Sequence, residues 1–289
     1  MYIVVIVQNC FSRQNLSNIF RSFILQIFLS DLFQETNAKQ LSSALDQAVL
    51  GSLSFNGQRC TALKLFFIPT AHGDTFASML AQRVDALNVG LPWQTWDADA
   101  EKYSNITPLP NQKRVEYMQQ LIQDAVSKGA KIMNKNGGKV IGGKESSLMV
   151  PAVLYPVTKD MDIYYEEQFG PIVPITTYDN LDTILKYGHD GIFGQQVSIF
   201  MSEEESSTGA MLIDQFSSVF GKININSQCG RSPDTVPFSG RRSSAMGVMS
   251  VADALKEFSI PTVVSYKESP VNSNILQGIE KSSKFLQPL

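Results

Sequence analysis

Among the residues of this 289-residue chain, Cys60 has the neighbours that best suit a nucleophile. It ends the run Ser54-Phe55-Asn56-Gly57-Gln58-Arg59-Cys60, a loop signal with a glycine, and an apolar strand is expected from Ala62 to Ile68, closed by Pro69. Arg59 stands next to it. A guanidinium beside a thiol favours the thiolate, which is the form that attacks electrophilic carbon. On residue types alone, the other reading of Cys60 as a small buried core residue stays open. Paired glutamates at Glu166-Glu167, ahead of Gln168-Phe169-Gly170-Pro171, read by themselves as a solvated face. Arg59 and Arg231 read by themselves as surface arginines in ion pairs, although the guanidinium fork also matches phosphate oxygens.

Hydrophobic periodicity supplies the elements that must position these residues. Leu41, Ala44, Leu45, Ala48 and Val49 make one apolar stripe and predict a helix over Gln40–Leu53. Asp74 is the expected N-cap of a second helix carrying Phe76, Met79, Leu80, Val84 and Leu87. The stretch 92–110 reads as loop. A third helix is expected over Asn111–Lys128, stopped by Gly129. Strands follow at Ala130–Met133, Met149–Tyr155 and Ile172–Tyr178. A helix is then expected at Leu181–Gly188, a strand at Gln196–Phe200, a helix at Ser206–Phe216 and strands at Lys222–Ile225 and Pro261–Tyr266. Such alternation predicts an α/β domain with a largely parallel sheet.

Composition narrows the function classes. With 43% hydrophobic and 18% charged residues the chain is globular rather than disordered. A net charge of −3 gives no basic face, so a nucleic-acid partner has no support. Three cysteines (Cys10, Cys60, Cys229) without metal-type spacing, and only His72 and His189, argue against a metal site and for a reducing, cytoplasmic compartment. The apolar runs Met1–Val7 and Phe20–Phe33 are too short or too broken, by Arg21, Gln26 and Asp31, to span a membrane, which takes about 20 apolar residues. They read as a buried strand followed by an amphipathic helix.

Phe55-Asn56-Gly57-Gln58-Arg59-Cys60-Thr61-Ala62 resembles the G-Q-x-C active-site motif of the aldehyde dehydrogenases. Glu166-Glu167-Gln168-Phe169-Gly170-Pro171 resembles that family's E-E-x-F-G-P block. Asn224-Ile225-Asn226-Ser227 and Pro237-Phe238-Ser239-Gly240 resemble its I-N and P-F-x-G segments. Ile106-Thr107-Pro108-Leu109 and Arg231-Ser232-Pro233-Asp234 look like the subgroup of non-phosphorylating glyceraldehyde-3-phosphate dehydrogenases. The resemblance runs from about residue 37 to about residue 268. It implies that Cys60 attacks the aldehyde carbon, hydride passes to NADP (or NAD), and water releases the acid. It implies that Glu167 holds the nicotinamide ribose, that Phe169 packs at the nicotinamide, and that Arg59 and Arg231 contact a substrate phosphate. The implied reaction takes glyceraldehyde-3-phosphate to 3-phosphoglycerate.

The expected organisation is an atypical segment at 1–36 outside the resemblance, a catalytic domain at 37–257, and an oligomerisation strand and tail at 258–289. The chain is expected to begin inside the cysteine domain. The glutamate base of the family's E-L-G-G segment, its oxyanion-hole asparagine and its Rossmann-like cofactor domain have no counterpart in residues 1–36, which hold no glycine and only Glu35 as a glutamate. Loss of a general base alone slows a reaction roughly 10²–10⁴-fold. Two readings therefore stand. One is an aldehyde-oxidising enzyme that forms a homo-oligomer. The other is a catalytically incomplete subunit that assembles with full-length relatives by strand addition at Ile260–Tyr266.

Overall fold

In the computed structural model, residues 24–97, 102–143, 145–260 and 263–283 are described. Seven of the strands form one sheet: β1 (Ile24–Phe28), β2 (Leu65–Pro69), β3 (Lys131–Ile132), β4 (Ala152–Tyr155), β5 (Ile172–Tyr178), β6 (Gln196–Phe200) and β7 (Lys222–Ile225). Their spatial order is β7-β6-β1-β2-β5-β4-β3. Every pairing is parallel except the β3–β4 edge. β1, β2, β4 and β6 are buried at every position, the mark of parallel strands covered on both faces.

Helices α1 (Ala38–Leu53) and α2 (Gly73–Asp85) cover one face. They pack on Ile24, Phe28, Phe66, Ile68, Val173 and Ile175. Helices α3 (Gln112–Ser127), α4 (Leu181–Asp190) and α5 (Ser206–Phe216) cover the other face, against Leu25, Ile27, Leu65, Phe67, Ile172 and Ile199. Strand alternation thus sorts neighbouring residues into two cores. The expected α/β class with a largely parallel sheet is what the chain adopts.

Several local expectations are corrected. The helix expected over Phe20–Phe33 is instead strand β1 followed by a short 3-10 turn at Ser30–Phe33, with 20–23 outside the described residues. A short apolar run suits a buried strand and a buried helix equally well, and β2 and β6 on either side decide in favour of the strand. The segment before residue 37, set outside the catalytic domain by its sequence, thereby supplies a central strand of that domain's sheet. Met1–Val7 and Cys10 lie outside the described residues. β2 starts at Leu65 rather than Ala62, because the residues before it are held in a turn. His72, not Asp74, occupies the N-cap of α2, and Asp74 lies in its first turn. The expected loop at 92–110 contains a small hairpin, Thr95–Asp97 with Lys102–Tyr103.

The chain divides into two units, one ending at Ser250 and one spanning Val251–Leu289, where a border after residue 257 was expected. The second unit holds α6 (Val251–Glu257) and α7 (Pro270–Ser282), the latter capped by Ser269 Oγ, which accepts from Asn272 N–H at 3.2 Å. Residues 263–266 form no strand, against the expectation for Pro261–Tyr266, and 261–262 lie outside the described residues. β-branched residues favour a strand only when a neighbour completes the ladder, and none does so among the described residues.

Candidate functional site

β2 and β5 are parallel neighbours, so the loops that enter them lie at the same end of the sheet. These are the Cys60 loop and the Glu166–Pro171 loop. The first leaves α1 through three left-handed residues, Phe55 (φ 54°), Asn56 (φ 59°) and Gly57 (φ 69°). A Cβ on Gly57 would lie 2.6 Å from Gly170 O and 2.7 Å from Ser52 O. Glycine is required there, because the two loops touch backbone to backbone. The asparagine at the second strained position is held by its side chain. Asn56 Oδ1 accepts from Thr107 N–H at 2.9 Å, and its Nδ2 donates to Thr107 Oγ1 at 3.2 Å. This ties the Ile106–Leu109 segment to the cysteine loop.

Cys60 then sits on a turn closed by Ala62 N–H donating to Arg59 O at 3.1 Å, and Leu63 N–H donates to Gly51 O at 3.0 Å. Cys60 is exposed, whereas Thr61, Ala62, Leu63 and Lys64 are buried. The turn therefore presents the thiol outward from a rigid base.

The second loop is fastened by α3. Arg114 Nε donates to Phe169 O at 3.1 Å and its Nη2 donates to Phe169 O at 3.0 Å and to Gln168 O. The Arg114 guanidinium also lies 5.1 Å from the Tyr117 ring centroid. Tyr117 O–H donates to Glu166 Oε2 at 3.0 Å. Gln168 Nε2 donates to Ile172 O at 2.8 Å and to Lys64 O at 3.2 Å, which joins this loop to the start of β2. Phe169 is itself left-handed, at φ 43°. Glu167 is buried.

Lys64 is the charge the two loops share. Its Nζ donates to Gly57 O at 3.1 Å and stands 4.5 Å from the Phe169 ring centroid. Burial pushes this ammonium from the usual 10.5 down to about 8; Glu167 and Cys60 work against that shift, while Arg114 and Arg59 reinforce it. The structure thus brings Cys60, Glu167 and Phe169 around one buried lysine that sequence reading did not single out. The available signal was a lone lysine inside the apolar run Ala62–Pro69. Arg114 carried no local signal, because the carbonyls that its guanidinium bonds lie more than fifty residues away in the chain.

The two arginines differ. Arg59 turns inward, its Nη2 donating to Gly51 O and to Gln228 Oε1, each at 3.2 Å, while its Nε meets no protein acceptor. Burial holds its guanidinium below the usual arginine value, opposed by Cys229 and Cys60. Arg231 is exposed, with Nε 3.5 Å from Asp234 Oδ1 and its guanidinium 5.9 Å from the Phe238 ring. The segment between them is fixed by asparagines. Asn224 Nδ2 donates to Val197 O at 3.1 Å, and Asn226 pairs with the Met201 backbone at 2.8 and 2.9 Å. A cavity of about 660 Å³ opens beside the second loop, walled by Tyr164, Tyr165, Glu166, Tyr187, Phe193 and Phe220. Among the described residues no group of His, Cys, Asp and Glu is arranged to hold a metal ion, and no helix is long and apolar enough to cross a membrane.

Comparison with known proteins bears on the family and the fold. The profile of the aldehyde dehydrogenase family matches residues 35–264. The NADP-dependent glyceraldehyde-3-phosphate dehydrogenase of Apium graveolens is 31% identical over 232 residues, which cover 80% of this chain and 43% of that protein. A succinate-semialdehyde dehydrogenase [NADP(+)] 1 of Mycobacterium ulcerans is 27% identical over 235 residues, or 81% of this chain and 48% of that protein. The NADP complex of the NADP-dependent glyceraldehyde-3-phosphate dehydrogenase from Bacillus halodurans superimposes with a TM-score of 0.66 at 28% identity, over 82% of this chain and 44% of that one. The chain spans less than half the length of each of these relatives. A cysteine-bearing turn, a glutamate–phenylalanine loop beside it, the parallel sheet that joins them and a family match over most of the chain lead to one assignment: this chain belongs to the aldehyde dehydrogenase family.

Proposed function

We propose that this chain supplies the nucleophile and the nicotinamide-facing wall for NADP-dependent oxidation of an aldehyde, with glyceraldehyde-3-phosphate as substrate. The exposed thiol of Cys60, on a turn locked against the Glu167–Phe169 loop, carries the reading. The thiolate adds to the carbonyl carbon. A sulfur–carbon bond forms, and the carbonyl electron pair moves to oxygen, which takes up a proton. NADP, when bound, would supply the hydride acceptor; with the hydride gone from that carbon and the hydroxyl proton released, the carbon becomes a thioester. Water then cleaves the thioester and returns the thiol.

The side chains present suit one end of such a cofactor. Glu167 offers a carboxylate to ribose hydroxyls, and Phe169 offers an aromatic face to the nicotinamide. Arg231, exposed and only loosely paired, offers its fork to a phosphate. Arg59, whose Nε meets no protein acceptor, adds positive charge next to the nucleophile. A succinate-semialdehyde relative matches almost as well as the glyceraldehyde-3-phosphate enzymes, so phosphate recognition decides the substrate. We place the activity in the cytoplasm, in a homo-oligomer.

Reversible aldehyde addition tests this without any cofactor. Glyceraldehyde-3-phosphate should protect the Cys60 peptide from iodoacetamide at concentrations about tenfold below those of glyceraldehyde, a difference worth about 1.4 kcal/mol. Arg231→Ala should erase that advantage. Equal protection by both aldehydes would remove the phosphate reading, and no protection by either would remove Cys60 as nucleophile.

A second reading is favoured by one observation. Ile260, Val263, Val264 and Tyr266 are exposed, as a strand awaiting a sheet edge would be. On this reading the chain joins full-length relatives as a subunit. Co-purification with a longer dehydrogenase would support it, and a strictly monomeric chain in cell extract would rule it out.

A further inference from the structure

We propose that Lys64 is a positioning residue that couples the buried carboxylate of Glu167 to the thiol of Cys60. The carboxylate keeps the ammonium charged, and the ammonium steadies the thiolate when it forms. The inference rests on the reading of Cys60 as nucleophile and deepens it.

Lys64 is 2% exposed. A cation so far from water persists only with an anion nearby, since desolvation otherwise drives it neutral. Glu167 heads the charges that favour the ammonium, and Cys60 is the other. Arg114, from α3, and Arg59, from the cysteine loop, act against it. Among the described residues, these four titratable groups act on the Lys64 charge. Geometry fixes the ammonium among them. Gly57 O accepts one of its protons at 3.1 Å, and the face of Phe169 lies 4.5 Å away. The lysine cannot swing out to solvent without breaking both contacts and opening the junction of the two loops. Its three donors are not exhausted by one carbonyl and one ring face.

The coupling follows from linkage. If a charged Lys64 favours the thiolate, then the thiolate favours a charged Lys64 to the same degree, and Glu167 biases both. Because burial brings the ammonium to about 8, its charge responds to any change in Glu167 close to neutral pH. A lysine fixed at the usual value could not do this. A purely structural lysine would fill space and bond Gly57 O without altering the reactivity of Cys60.

Alkylation of Cys60 separates these alternatives and needs no turnover. The whole chain is treated with iodoacetamide from pH 6 to pH 10, and the rate is read on the Cys60 peptide by mass spectrometry. Lys64→Met should slow alkylation at pH 7 about three- to tenfold, and Lys64→Arg should restore most of it, since arginine keeps its charge at every pH. Glu167→Gln, with the lysine intact, should slow alkylation by a similar factor at pH 7 and shift the response of the rate to lower pH. The double variant should be no slower than Lys64→Met alone. Wild-type alkylation rates in Lys64→Met across the whole range would overturn the proposal. So would failure of Lys64→Arg to rescue, or independent, additive effects of the two substitutions. If Lys64→Met does not fold, as judged by its melting transition, Glu167→Gln and Lys64→Arg decide the matter. Cys60 that alkylates in a Lys64-dependent way yet gains no protection from aldehydes would refute the proposed function and leave the coupling standing.

Discussion

Cys60 and Cys229 both lie within electrostatic reach of the same arginine, Arg59. Cys60 lies on an exposed turn. Cys229 is fully buried in the core beneath α1, 3.2 Å from Ser198 Oγ, and it accepts from Asn224 Nδ2 at 3.4 Å. Burial pushes the Cys229 thiol up to about 12, although Ser198, Lys222, Arg59 and Asn224 all pull the other way. A nearby cation therefore does not make a thiol reactive by itself. Where desolvation is larger than the attraction, the thiol stays protonated. The chain uses one arginine beside two sulfurs, and solvent access separates their chemistry.

The contrast can be broken most directly by labelling. At pH 7.5 the Cys60 peptide should react with iodoacetamide at least ~10³ times faster than the Cys229 peptide in the folded chain, and in denaturant the two rates should converge. Comparable native rates would show that Cys229 is not sealed. Next in size is Gly57→Ala. The added Cβ meets two backbone oxygens at a positive φ, which should destabilise the chain by about 2–4 kcal/mol in denaturant unfolding. It should also change the Cys60 rate while native Cys229 stays protected.

Lys64→Met comes third. Burial holds the lysine below its unfolded value, so between about pH 8 and 10.5 the unfolded chain binds more protons than the folded one. The penalty is present in full below pH 8 and fades as pH rises through that window. The variant should therefore gain on the wild type by roughly 1–3 kcal/mol at pH 7, less what is lost with the Gly57 contact. The difference between their melting temperatures should move in favour of the wild type by pH 10; a pH-independent difference would mean that the lysine is not held this way. The smallest effect is that of Arg231→Ala, about tenfold in the preference for a phosphorylated aldehyde, with Cys229 unaffected.

Much of the sheet was legible because each strand carries its own signal. Ile172–Tyr178, Gln196–Phe200 and Lys222–Ile225 fall where their β-rich runs end at turn residues, and Ser206–Phe216 falls where its apolar period ends. Cys60, Glu167 and Phe169 were legible as motifs, and the structure sets their loops together. β1 was misread because its identity is decided by strands far along the chain, β2 and β6, and not by its own five residues. Lys64 and Arg114 were missed for the same reason. Nothing beside a lysine in sequence announces a carboxylate that folding brings from a hundred residues away. The left-handed Asn56 escaped notice because its partner, Thr107, is also distant.

β1 has one more consequence. The family match starts at residue 35, yet Ile24–Phe28 lies between β2 and β6 with neighbours on both sides. A polypeptide cut at that match would carry a slot one strand wide through the middle of its sheet, floored by two apolar cores. Such a slot is a receptor for its own missing piece. A synthetic peptide of residues 24–34 should bind the shortened chain, restore its cooperative melting and return the Cys60 loop to its place, which would turn the folding of this domain into a measurable bimolecular association.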